Sequence, residues 1–276
     1  MRYLLFFIFI ANALHLSAQT IIKIENSLLE VSYTKHTVTD TLNRSSDYRD
    51  EGNLVLRIGK DSSSFFSRLD IWRDSLATCN IDAFMALPSE EIFINHPKEK
   101  EWLFKNWPTG KISVYNRFGL GHYTYTEDWQ KPEWNLCDST ENILGYDCMM
   151  AECSFRGRRW IAFFAPEIPL SEGPWKLCGL PGLILKAYDS KSDYIFTATS
   201  MRTEGIPDVS FTDYWDYHWE ETDRERYNYR RFKALHENLG VALAMNGMID
   251  ANVKAVNPGS VMPHRNYDFE ETDYKH

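Results

Sequence analysis

Between Phe211 and Glu221 the aromatic side chains Phe211, Tyr214, Trp215, Tyr217 and Trp219 interleave with the carboxylates Asp213, Asp216, Glu220 and Glu221. Ring faces flanked by carboxylates can stack on sugars and accept their hydroxyl hydrogens, so a glycan platform is one reading of this run. Packing at the start of a helix is the other. Asp213 and Asp216 make a poor glycosidase pair, because such carboxyls stand ~5 to 9.5 Å apart across a cleft, which neighbours on one segment seldom achieve. Arg156, Arg158 and Arg159 flank Gly157 and could present a guanidinium fork to a carboxylate or phosphate; a solvated turn is the alternative. The eight histidines include no pair at i, i+4, and no CxxC is present, so no metal site is expected. Neither a Gly-x-Ser-x-Gly elbow nor a phosphate-binding glycine loop occurs, no cofactor is implied, and a non-catalytic protein is favoured over an enzyme.

A second feature lies in the middle of the chain, where Gly173-Pro174-Trp175-Lys176-Leu177-Cys178-Gly179-Leu180-Pro181-Gly182 runs into the apolar Leu183-Ile184-Leu185. Leu180-Pro181-Gly182-Leu183 has the residues of a type II turn, with proline at the second position and a positive-φ glycine at the third. Residues 166–182 form a connection of 17 residues, against the usual ~4 to 6, and Ile168, Leu170, Trp175, Leu177 and Leu180 argue that it is ordered. Such a strap either completes the core and covers a sheet edge, or rims an apolar cavity. In the second case Trp175, Leu180 and Pro181, with Arg156 and Arg158 nearby, are the ligand-binding candidates.

Elements that would position these residues are readable from periodicity. Strands are expected at Leu29 to Thr34, Leu54 to Ile58, Lys111 to Arg117, Gly121 to Glu127, Tyr146 to Phe155, Arg158 to Phe164, Leu183 to Tyr188 and Asp193 to Thr199, neighbours pairing as antiparallel hairpins. Thr37 to Gly52 reads as a polar loop. Phe65, Leu69, Trp72 and Leu76 recur at helical spacing after a capping serine run. Thr222-Asp223-Arg224-Glu225 resembles a capping box, opening a helix whose apolar face is Phe232, Leu235, Leu239, Ala242 and Leu243 and whose stop is Gly247. The fold class is then α+β, mostly antiparallel β, with a curved sheet or half-barrel on the late amphipathic helix; a β-sandwich with peripheral helices is the alternative.

Residues 1–18, with Arg2, the apolar block Leu4 to Ala11 and the small Ser17-Ala18, read as a cleavable export signal too short to span a bilayer. Residues 19–255 are expected to be one domain, and 256–276, rich in acids and poor in aliphatics, a flexible tail. Without Arg2 the chain carries 29 basic against 39 acidic residues, which argues against nucleic acid or an anionic membrane face as partner. Export places five cysteines where disulfides persist. On one strand Cys148 and Cys153 lie too far apart to pair, and their odd spacing sets them on opposite faces. Cys148 with Cys178 is the candidate disulfide.

Lys105-Asn106-Trp107-Pro108-Thr109-Gly110-Lys111, Ile143-Leu144-Gly145-Tyr146-Asp147-Cys148, Phe155-Arg156-Gly157-Arg158, Ala165-Pro166-Glu167-Ile168-Pro169 and Gly179-Leu180-Pro181-Gly182-Leu183-Ile184 follow one another in that order. Over roughly residues 100 to 200 this series resembles the GLPGLI family of exported bacterial proteins. The resemblance implies export, to the periplasm or beyond the cell, and a shared fold; it supplies no catalytic residues. The reading is an exported cell-envelope protein that binds an apolar or amphipathic ligand, or a partner protein, at strap and sheet. The alternatives are a secreted hydrolase of glycans or peptides with its acids near Asp213, and a scaffold without a pocket.

Overall fold

The structure, a computed structural model, describes residues 20–42, 44, 48–88, 100–118, 121–236 and 269–274. The expected signal and the helix positions from Leu239 to Gly247 lie outside the described residues. In chain order the elements are β1 (Thr20–Glu25), β2 (Leu29–Val38), β3 (Tyr48–Ile58), β4 (Ser63–Ser67), α1 (Arg68–Cys79), α2 (Ile81–Met85), β5 (Trp102–Lys105), β6 (Lys111–Phe118) and β7 (Gly121–Asp128). After these come β8 (Asn135–Ile143), β9 (Tyr146–Phe155), β10 (Arg158–Ala165), β11 (Leu183–Asp189), β12 (Tyr194–Arg202), β13 (Val209–Asp213), β14 (Glu220–Glu221) and α3 (Arg224–His236).

Twelve strands form one open sheet in the order β14-β7-β6-β5-β4-β3-β2-β12-β11-β10-β9-β8, not closed into a barrel, and β1 pairs with β13 in a separate two-stranded sheet. Among the described residues only the short β14 pairs in parallel, with β7. The chain is thus β-rich and mostly antiparallel, and a sandwich of two large sheets is not what the described residues form. Hairpins account for most neighbours: Arg156 and Gly157 at the β9/β10 turn both have positive φ (53° and 79°), the conformation a tight two-residue hairpin demands. The polar loop expected from Thr37 is shorter than its composition suggests, since β2 runs to Val38 and β3 begins at Tyr48.

Both faces of the sheet's middle are covered. On one, Tyr33, Phe65, Trp160 and Phe196 belong to the main core with the strap's Trp175, Leu177 and Leu180. On the other, Phe66, Trp102, Phe104 and Tyr115 form an aromatic cluster with Phe211 of β13. Adjacent residues such as Phe65 and Phe66 face opposite ways on a strand, which explains why all of β4 is buried. β4 also takes Phe65 out of the helix that its spacing suggested. α1 starts at Arg68 behind Ser67, whose Oγ accepts from the Asp70 N–H at 3.3 Å. The helix is rotated from its apolar reading: Trp72 is 44% exposed and Arg73 is buried.

α3 is capped one residue later than the capping-box reading, by Asp223, whose Oδ1 accepts from the Arg226 N–H at 2.8 Å. Its buried residues Tyr227 and Asn228 make a polar contact: the Tyr227 hydroxyl donates to Glu101 at 2.7 Å and accepts from Asn116 at 2.7 Å. The expected tail is corrected at residues 269–274, where Phe269, Glu270, Glu271 and Tyr274 are buried. The acids that suggested fraying are held by cations from several elements, Lys35 and Lys176 among them.

Candidate functional site

The strap is a plug. Trp175 and Leu180 are 4% and 2% exposed, and the Trp175 ring centroid lies 5.5 Å from that of Trp160 and 6.1 Å from that of Phe155. Both are therefore inside the core; of the three strap candidates only Pro181 is exposed. The strap's own backbone closes onto the sheet, Leu183 N–H donating to Ile168 O at 3.0 Å and Ile184 N–H to Glu172 O at 2.9 Å. Buried Lys105 pins it from beneath, donating to Gly173 O at 2.8 Å and pairing with Glu172 at 2.5 Å. Gly182 is not in the positive-φ region that a type II turn would require. Its lack of a side chain serves close approach instead, because a Cβ there would drive into the Ala165 carbonyl.

The arginine fork is occupied from within. Arg156 pairs with Glu127 at 2.6 Å, and Arg158 is buried between Asp189 (3.0 Å) and Asp193 (3.2 Å) while donating to Phe269 O. Neither is a solvated turn residue nor open to an outside anion. None of the five cysteines forms a disulfide, so the expected Cys148 to Cys178 bridge is absent. Cys148 hydrogen-bonds toward Tyr146 O on β9 with Glu141 and Glu167 near, whereas Cys178 lies by Lys105, Lys131 and Glu172. Cys148 and Cys153 are both buried. Burial pushes their thiols up to about 11 and about 12, which makes them poor nucleophiles.

An open, polar cleft of about 390 Å³ lies elsewhere, between α1, the β6/β7 pair and the aromatic run. Asp70 and Asp74, four residues apart, share one face of α1, and both pair with Arg117 of β6, Asp74 at 2.6 Å. The Arg117 guanidinium also donates to the Tyr217 hydroxyl at 3.1 Å. His122 stacks on Tyr217 with centroids 3.9 Å apart, and the half-exposed Trp215 points its indole N–H at Asp74, 3.2 Å away. An inner recess of about 30 Å³ shares Asp70, Asp74, Lys100, Arg117 and Tyr217 as walls, room for one water or ligand hydroxyl. Trp102 also lines it, and its buried indole N–H has no partner among the described residues.

Asp213 shapes this site without entering its chemistry. Its carboxylate accepts from Trp215 N–H (3.1 Å), Tyr217 N–H (3.0 Å) and Trp219 Nε1 (2.8 Å), winding the aromatic run into a turn, with Asp216 at φ 52°. Of the two acids Asp213 and Asp216, the first is thereby engaged by its own loop. Burial pushes Asp70 up to about 6 against the pull of Arg117, and the Asp74 carboxylate adds to the rise. Burial opposes charge on Arg117 too, but two carboxylates hold it above its ordinary value. Arg117 is in contact with both acids and Lys100 stands near them, yet burial still leaves Asp70 with a raised affinity for a proton. Burial, then Arg117, lowers His122, so its ring is neutral near pH 7. Among the described residues no three His, Cys, Asp or Glu side chains are grouped to hold a metal ion.

Asp70, Asp74, Arg117 and His122 were not singled out by sequence. The i, i+4 acids on α1 were a usable signal, but nothing local links them to an arginine some 45 residues on.

Residues 156–186, spanning β10, the strap and the start of β11, match the family model of a protein of unknown function (Porph_ging). No curated protein matches the chain. Among solved structures, two of PNGF-II, in P21 and C2 space groups, are similar to it at 16% identity with TM-scores of 0.48 and 0.47. Each likeness covers 75% of this chain and 34% or 33% of the other, so the chain spans about a third of the length of those proteins.

Proposed function

We propose that this is an exported, non-catalytic binding protein whose ligand is polyhydroxylated, a saccharide or similar polyol, held in the cleft between α1 and the aromatic turn. The carrying observation is Trp215: a half-exposed indole fixed by Asp74, beside the Arg117, Tyr217 and His122 group. That arrangement supplies a ring face for stacking with donors and acceptors around it, in a volume suited to a small ligand. Recognition is favoured over hydrolysis because Asp70 and Asp74 are both engaged by Arg117. Calorimetric titration with a panel of neutral mono- and oligosaccharides tests it. Heat of binding that disappears in Trp215→Ala supports the reading; no binding by any sugar, or cleavage of one, ends it.

A second reading keeps the apolar or protein partner at the strap. Where the strap leaves β10, a groove of about 400 Å³ is lined by Leu28, Leu29, Tyr146, Ile168, Leu170 and Met201. Saturable uptake of a fluorescent fatty acid, lost in Ile168→Asp, would favour it.

A further inference from the structure

Residues 269–274 add no strand to either sheet. Among the described residues a single backbone-to-backbone hydrogen bond joins them to the rest, Thr272 N–H to Arg156 O at 2.9 Å. Side chains do the remainder. Arg158 donates twice to the Phe269 carbonyl, at 2.9 and 2.7 Å, and the Arg231 guanidinium lies 4.2 Å from the Phe269 ring centre. Glu270 pairs with Lys35 and, at 3.5 Å, with Arg231. Glu271 pairs with Lys176 and, at 2.7 Å, with Arg224, and accepts from Asn228 at 3.0 Å. Asp273 takes Arg224 at 2.7 Å, and Thr272 sits against Gly157, where a Cβ would collide with its hydroxyl.

This is the manner in which a groove holds a peptide ligand. Charge-assisted pairs fix the acids, a guanidinium covers an aromatic anchor, and a glycine admits the backbone. A strand belonging to the fold would be held by a ladder instead. The cations come from β2, the β9/β10 turn, the strap and α3, and four of them have counter-charges without the segment: Arg158 holds Asp189 and Asp193, Lys176 and Arg224 share Glu127, and Arg231 reaches Glu101 at 3.6 Å. The groove can thus stand with its charge partly balanced when empty.

We infer that this groove is a recognition site for acidic peptide segments in which an aromatic residue precedes paired glutamates, and that the chain fills it with its own residues 269–274 as an exchangeable ligand. The test is the full chain with a protease recognition sequence inserted between Val261 and Met262, folded and then cut. The probe is a fluorescein-labelled peptide spanning Tyr267 to Tyr274, followed by anisotropy and by native mass spectrometry. The expected result is saturable uptake, displaced by unlabelled peptide, weakened at least tenfold when both peptide glutamates are glutamine, and weakened by Arg224→Gln in the groove. A dimer formed by exchange of ends between two copies also supports the site. Cut protein that stays folded by circular dichroism yet neither releases its segment nor takes up the labelled one overturns the inference. So does protein that unfolds on cutting, which would make the segment an integral part of the core.

Discussion

The strap and the cleft use the same unit, a cation shared by two carboxylates, to opposite effect. Lys176 is fully buried between Glu127 and Glu271, and Glu271 has Arg224 and Asn228 besides. Burial alone would raise the Glu271 carboxyl, but Lys176 and Arg224 together hold it below its ordinary value. In the cleft both acids depend on contact with one guanidinium, and Asp70 rises to about 6. The contrast teaches that burial by itself does not mark a working charge. At the strap Lys176 and Arg224 both face Glu127 and Glu271 away from solvent, which suits tight holding. In the cleft burial outweighs Arg117 and the nearby Lys100 at Asp70, beside open space where a ligand's donors or a proton can reach it.

The sharpest way to break this contrast is to remove the strap's cation. Lys176→Met takes a fully buried cation from between Glu127 and Glu271, leaving them to Arg156 and Arg224, and is expected to cost about 3–5 kcal/mol in urea unfolding. A loss below ~1 kcal/mol would mean that water reaches these acids, and strap and cleft would no longer differ. Trp175→Ala follows at about 3–5 kcal/mol, since the ring is packed on Trp160 and Phe155 and its removal leaves a cavity. An unchanged melting temperature would put the indole in solvent.

Why the strap was legible and the cleft was not follows from the range of the signals. Pro174, Leu177, Leu180 and the apolar Leu183-Ile184-Leu185 announce an ordered connection within a few residues of themselves. Eight of the strands showed as alternation or apolar runs. β4 and β5 did not, because burial on both faces removes the alternation: Ser63, Ser64, Phe65 and Phe66 are all inside. Gly182 was identified as needed, but for the wrong reason; a turn glycine and a close-approach glycine look alike in sequence. The acids of the C-terminal segment read as solvated because their partners, Lys35 and Lys176, are 235 and 95 positions away. The cleft depends on equally distant pairings.

Titration sharpens the comparison with smaller effects of opposite sign. Glu270 and Glu271 have folded values held low, burial being outweighed by Lys35 with Arg231 and by Lys176 with Arg224. Their contribution to stability is complete above the unfolded carboxyl value of ~4.3 and is lost as pH falls through the lower folded values. Asp70 runs the other way. Its folded value of about 6 exceeds the unfolded ~3.9, so the native state binds that proton more tightly. Stability from this group declines as pH rises from about 4 to about 6 and is flat beyond. Urea midpoints between pH 3 and pH 8 should show both slopes, and Asp70→Asn should erase the second while leaving the first. Loss of both slopes together would mean that the two clusters are energetically one.

The smallest effect on stability is expected where the largest effect on binding is. Trp215 is 43% exposed and contributes one hydrogen bond, to Asp74, so Trp215→Ala should move the unfolding free energy by no more than ~0.5 kcal/mol, as surface substitutions do. Its partner Asp74 keeps Arg117, and the turn keeps Asp213 as its organiser, so the cleft retains its shape without the indole. A variant that melts with the wild type yet binds no saccharide separates recognition from folding, a separation that Trp175→Ala cannot provide. Should Trp215→Ala instead unfold the chain, the indole is part of the second aromatic cluster and the cleft is structural, like the strap.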